Sequence, residues 1–232
     1  MQLGADKFLT LKTRLSLEAL YYYSASFHFK KAKNSLPELQ KALKRYSKLE
    51  EEEKLLKIKK ADDKLESIAI QIIDYINPLI ESLYKPLLEG VALTHILCLA
   101  SLEAHINVLA KNNLSGKILK NFDYLSVESK WLYLPLLSGM STFNPGMQPF
   151  QDFSDLIKIR NALMHYKPKI EDFNGEPVPK YLDVLGLSIP KAEISLKVVP
   201  AMVSNLANLL KRPIPDWINN TPDSYFYTLF EN

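Results

Sequence analysis

Apolar residues recur along most of this chain at spacings of three and four, the period that lays one face of an α-helix against a core. Across residues 13–33, Leu15, Leu17, Leu20, Tyr21 and the aromatics through Phe29 give a broad apolar face and predict a first helix. Asn34 or Ser35 then reads as the cap of a second helix, with Pro37 in its first turn. From there to Lys60 the apolar stripe thins to Leu39, Leu43, Tyr46, Leu49, Leu55 and Ile58. Between them lie Lys41, Lys44, Arg45 and Lys48, then Glu50 to Glu53, then Lys54, Lys57, Lys59 and Lys60. Opposite charges three or four apart suit a solvated helix or hairpin arm.

Helical periodicity resumes over 62–83, through Leu65, Ile68, Ile72, Ile76 and Leu79, with Pro78 and Pro86 expected to kink a helix or begin one. Residues 87–111 are apolar almost all round, as the central element of a bundle must be, and Asn112-Asn113 and Ser115-Gly116 end that helix. A shorter helix is predicted over 127–137, a loop with two glycines and two prolines over 138–149, and a helix over 150–165 closed by Lys167-Pro168. Residues 171–190 read as a long connection and 191–212 as the last core helix, with Pro200 inside it and Pro213 and Pro215 after it. The aromatic tail (Trp217, Tyr225, Phe226, Tyr227, Phe230) is expected to dock on the body. The expected class is all-α: an N-terminal helical extension over 1–60, a helical bundle over 61–212 and a packed tail over 213–232.

Composition narrows the functions available. Hydrophobic residues make up 47% of the 232, enough for a substantial core. The net charge of +3 is too small to mark a nucleic-acid protein by its global field, so any phosphate binding must come from a local cluster. The single Cys98 excludes an intrachain disulfide framework and a multi-cysteine zinc site, and its apolar setting predicts a buried thiol. No long apolar stretch opens the chain, and the apolar run 91–100 is too short to span a bilayer, so the expected setting is cytoplasmic, without a membrane. His95 and His105 are ten apart, not at a metal-ligating spacing, and read as core or interface residues. The row Tyr21-Tyr22-Tyr23 is expected to pack with its hydroxyl ends wet rather than to stack bases. There is no Gly-rich phosphate loop and no serine elbow, so no nucleotide or other cofactor is expected.

The chemistry concentrates in Arg160-Asn161-Ala162-Leu163-Met164-His165. Asn161 and His165 are four apart and share a face. Arg160 stands about 140° around the helix from His165, within reach of a long side chain at a helix end. Arginine offers a permanently charged planar fork to phosphate oxygens, histidine moves protons near neutral pH, and an amide can fix either.

This segment resembles the signature of HEPN domains: an arginine, a polar residue, a short spacer and a histidine at the end of a late core helix. The resemblance covers about residues 62–212. It implies an antiparallel bundle of four to five core helices, usually dimeric, and in many members a metal-independent endoribonuclease of toxin-antitoxin or phage-defence systems. It further implies an acidic residue from an earlier core helix, for which Glu103 is the candidate, pairing Arg160 or orienting His165. The implied catalytic set is Arg160, Asn161, His165 and Glu103. Asn107, one turn beyond Glu103, and Tyr166 and Lys167 would contact RNA. The alternative is a non-catalytic scaffold that binds an antitoxin or another protein partner.

Overall fold

The computed structural model describes residues 14–59, 62–165, 182, 185–219 and 230–231. The protein is all-helical apart from a two-residue antiparallel pairing of β1 (Arg14–Leu15) with β2 (Phe230–Glu231). The helices are α1 (Leu17–Lys59), α2 (Asp62–Ile70), a π-helical segment (Gln71–Ile76), α3 (Asn77–Asn113), α4 (Gly116–Asp123), α5 (Val127–Leu137), α6 (Phe150–Met164), α7 (Ile189–Leu209) and the short α8 (Asp216–Asn219).

Two of these differ from the sequence reading. The break expected at Asn34–Pro37 is absent, and α1 runs unbroken through Pro37. A proline in a helix interior costs roughly 3 kcal/mol through its lost N–H and ring clash. Packing on both sides offsets that cost, because Ala32, Leu39 and Ala42 are all buried. Gly90 of α3 lies against this stretch so closely that an added Cβ would stand 2.7 Å from the His28 carbonyl oxygen and 2.8 Å from the Ala32 Cβ. Pro78 stands in the first turn of α3, one of the two places expected, and the helical run continues through it. The π-helical turns just before it widen the backbone, with the Asn77 N–H bonding to the Ile72 carbonyl five residues back, where the proline ring would meet the preceding turn. Finally, α4 was not expected. Gly116 opens it with a φ of +57°, a left-handed value that lets the chain turn sharply three residues after α3 ends.

The run Asp63–Asn113 is consequently long and apolar enough, by composition, to cross a membrane, unlike the ten-residue segment singled out above. Half of its apolar window is buried within the protein.

The chain forms two compact units, one of residues 1–27, 94–166 and 193–232, the other of residues 28–93 and 167–192. These do not follow the expected boundaries at 60 and 212, because α1 and α3 are each long enough to contribute to both units. In the first unit Cys98, Leu102 and Ile106 of α3 pack with Trp131 and Leu134 of α5, Phe153 and Leu156 of α6, and Val199 and Met202 of α7. Ser16 caps α1, its hydroxyl accepting the Ala19 N–H. An aromatic row runs from Phe150 through Phe153, Trp131 and His105 to Trp217, with neighbouring ring centroids 5.4–6.3 Å apart. The expected docking of the tail is met at Trp217, whose carbonyl accepts the Tyr23 hydroxyl at 3.0 Å. That bond also corrects the reading of the tyrosine row: Tyr23 is buried to its hydroxyl, and Tyr22 packs edge-on against Trp217. The rest of the tail's aromatic side chains lie outside the described residues. In the second unit Phe29, Ile68, Ile76, Leu87 and Val91 are buried, while Leu55, Ile58, Ile73 and Tyr75 are exposed.

Candidate functional site

The reactive segment lies on α6. Pro149 leads into the helix, and the Gln148 side chain satisfies its first turn, accepting the Asp152 N–H and donating to the Asp152 carboxylate at 3.0 Å. Phe150, Phe153 and Leu156, spaced three apart, turn one face into the core. Ser154 anchors the helix laterally by donating to Glu128 of α5 at 2.6 Å. Lys158 is held by Asp155 at 2.9 Å, and that hydrogen bond, with the carboxylate charge, raises its pKa.

The helix stops at His165, whose N–H bonds to the Asn161 carbonyl at 3.0 Å. Asn161 and His165 are both exposed, on one side of the last turn. Arg160 continues the inward stripe of Phe153 and Leu156 and is half-buried. The structure therefore brings Asn161 and His165 together and sets Arg160 on another face. No hydrogen bond joins Arg160 to His165, and no ion pair joins it to Glu103, among the described residues. The expected Glu103–Arg160 pairing is thus not made, although both groups belong to the same compact unit. Within α6, five residues also rotate the guanidinium about 140° around the helix from the imidazole. Tyr166 and Lys167 lie outside the described residues.

Asn107 has a different neighbour from the one expected. Its Oδ1 accepts a hydrogen bond from Lys130 of α5 at 3.0 Å, and Lys130 is buried. Sequence reasoning missed this lysine, yet a signal was there. Val127, Lys130, Trp131 and Leu134 form the i, i+3, i+4, i+7 stripe of α5, so Lys130 occupies a core-facing position. A buried ammonium demands a partner, and the Asn107 amide oxygen provides one.

His95 and His105 are core residues, whereas His28 is partly exposed. His95 is fully buried, its Nδ1 2.8 Å from the Ser195 hydroxyl, which ties α3 to α7. His105 packs between Trp131 and Trp217. Cys98 is buried, and loss of solvent pushes its thiol pKa well up. Among the described residues no three His, Cys, Asp or Glu side chains gather in a way that could hold a metal ion.

No family model, curated protein or solved structure matches this chain.

Proposed function

We propose that this protein is a HEPN-type helical bundle that cleaves RNA, acting as a toxin or phage-defence effector from the C-terminal end of α6. The observation that carries this reading is the exposure of Asn161 and His165 one turn apart at a helix end, beside an arginine that no acidic residue neutralises among the described residues. A phosphodiester can approach an imidazole placed in this way. His165 takes the proton from the ribose 2′-hydroxyl as that oxygen bonds to phosphorus, and the bond from phosphorus to the 5′-oxygen breaks. A 2′,3′-cyclic phosphate and a 5′-hydroxyl result, the latter receiving a proton. Arg160 stabilises charge on the phosphoryl oxygens once its side chain swings to the helix end, and Asn161 fixes the phosphate. A second copy of the chain would bring a second Arg160–His165 set to the same RNA.

The test is cleavage of labelled RNA with chelator present, followed by separation of the products. The parent protein is expected to leave cyclic phosphate ends, and His165→Ala and Arg160→Ala are each expected to slow cutting by about 100-fold or more with the helical spectrum unchanged. Equal cutting by all three proteins would reject the reading.

A second reading, a non-catalytic module that associates with a protein partner, has its own observation. Residues 131–151 contain no charged side chain, and Tyr133, Leu136, Leu137 and Met147 within them are exposed. An uncharged apolar surface of this kind suits association more than catalysis. A stoichiometric complex formed by a protein without ribonuclease activity would favour it.

A further inference from the structure

The charge of this protein is nearly balanced overall, but it is not balanced locally. Lys111 stands in the last turn of α3, Lys117 and Lys120 on α4, and Lys211 and Arg212 directly after α7. All five are exposed, and none forms an ion pair among the described residues. They lie in one compact unit. Arg212 ties the end of α7 to the end of α3, donating to the Asn113 side chain at 2.7 Å, and α4 begins only three residues beyond that asparagine. Acidic residues are sparse here, with Asp123 the only one between Ala104 and Val127.

The face of α4 adds a second element. Leu119 and Phe122 turn inward, whereas Lys117, Lys120 and Tyr124 lie within about 60° of one another on the opposite side. Tyr124 is 83% exposed, more than any other large hydrophobic residue described. Cations that follow a phosphate backbone, beside an aromatic ring on which an unpaired base can stack, are what single-stranded nucleic acid requires.

Lys211 supplies an independent observation. Its φ of +53° places a lysine in the left-handed region, at the point after a helix where glycine is the favoured residue. The chain ends α7 there with the Arg212 N–H bonded to the Ala207 carbonyl at 2.9 Å. A side chain kept where it is strained is expected to serve a purpose other than stability.

We propose that Lys111, Lys117, Lys120, Lys211, Arg212 and Tyr124 form a binding surface for single-stranded RNA. The choice of RNA rests on the ribonuclease reading above, but the surface is separate from α6. Binding is measured by fluorescence anisotropy with a labelled single-stranded RNA of mixed sequence, over a series of salt concentrations. The His165→Ala chain serves as the background, so that the probe stays intact.

Lys117→Ala with Lys120→Ala is expected to weaken binding about tenfold at low salt, and to reduce the slope of log affinity against log salt by about 1.4. Tyr124→Ala is expected to weaken it about tenfold, with Tyr124→Phe restoring it, because stacking needs the ring and not the hydroxyl. Lys211→Gly should weaken binding yet raise the melting temperature by about 2–4 °C, since relief of a left-handed lysine is a gain of roughly 1 kcal/mol.

Equal losses from Lys41→Ala with Lys44→Ala, on the charged part of α1, would reduce the effect to diffuse attraction and overturn the proposal. Unchanged affinity in the Lys117/Lys120 variant would overturn it too, as would loss of the salt dependence of binding in the parent surface. Failure of the ribonuclease reading is separately visible: RNA would bind the parent protein with the expected salt dependence but would not be cut.

Discussion

The histidines of α3 and the histidine that ends α6 have the same side chain in opposite circumstances. His95 and His105 are sealed in the first unit, one against the Ser195 hydroxyl and the other between two tryptophans. His165 stands exposed where a helix stops. A buried imidazole exchanges its hydrogen bonds with water for a fixed partner, so its loss is felt as stability. An exposed one contributes little to folding and is free to meet a substrate. Burial, rather than residue type, separates His95 and His105, which hold the bundle, from His165, which solvent reaches.

The contrast can be tested first where the largest loss is expected. Trp131 lies at the centre of the aromatic row beside His105, and Trp131→Ala should cost about 3–5 kcal/mol in urea unfolding through the cavity it leaves. Its indole Nε1 is buried without a hydrogen-bond partner, so Trp131→Phe, which removes that orphan donor, should cost much less. Next, His165→Ala is expected to reduce RNA cleavage roughly 10²–10⁴-fold, the usual share of a general acid or base, while stability changes by no more than about 0.5 kcal/mol. A destabilised His165→Ala protein would break the comparison, because the exposed histidine would then be structural. Ser195→Ala, which leaves His95 without its hydroxyl, should cost about 1–3 kcal/mol and leave cleavage unaffected.

The smallest effect at neutral pH belongs to Cys98. Burial raises the folded-state pKa of this thiol, and burial first, then the neighbouring Cys98 and Tyr23, raises that of the Tyr22 hydroxyl. Groups of this sign lend stability that is whole below their unfolded pKa values, about 8.5 for cysteine and 10 for tyrosine, and that is lost as pH rises toward the folded values. Urea midpoints should therefore hold from neutrality to about pH 8 and fall above it. Cys98→Ala should delay that fall into the tyrosine range. A thiol reagent should not modify native Cys98 at all.

Much of the helical pattern was legible in the chain. The bounds of α5 agree with the periodicity of Val127, Trp131 and Leu134, and α6 begins at Phe150 as its three-residue spacing implied. The buried state of Cys98, His95 and His105 followed from their apolar surroundings. Pro37 misled because packing outweighed it, whereas Pro78 falls in the first turn of α3, one of the two places its pattern allowed. Helix α4 was hidden because Ser115 and Gly116 read as terminators, whereas α3 has already ended at Asn113 and Gly116 starts the next helix. At the site, the shared face of Asn161 and His165 was readable from a spacing of four. The partner of Asn107 was not, because Lys130 is 23 residues away and only packing decides which side chain arrives there.

Sequence alone determined what is local: the helical period, the inward stripe of α6 and the presence of Arg160, Asn161 and His165 within six residues. Such features depend on turns of a few residues, whose geometry the backbone sets by itself. Tertiary structure decided how α1 and α3 are shared between two units, why Arg160 makes no ion pair with Glu103, and how the cations of three helix ends come to lie in one unit. Those outcomes depend on contacts between residues far apart in the chain, where burial selects among many arrangements that the local pattern allows equally.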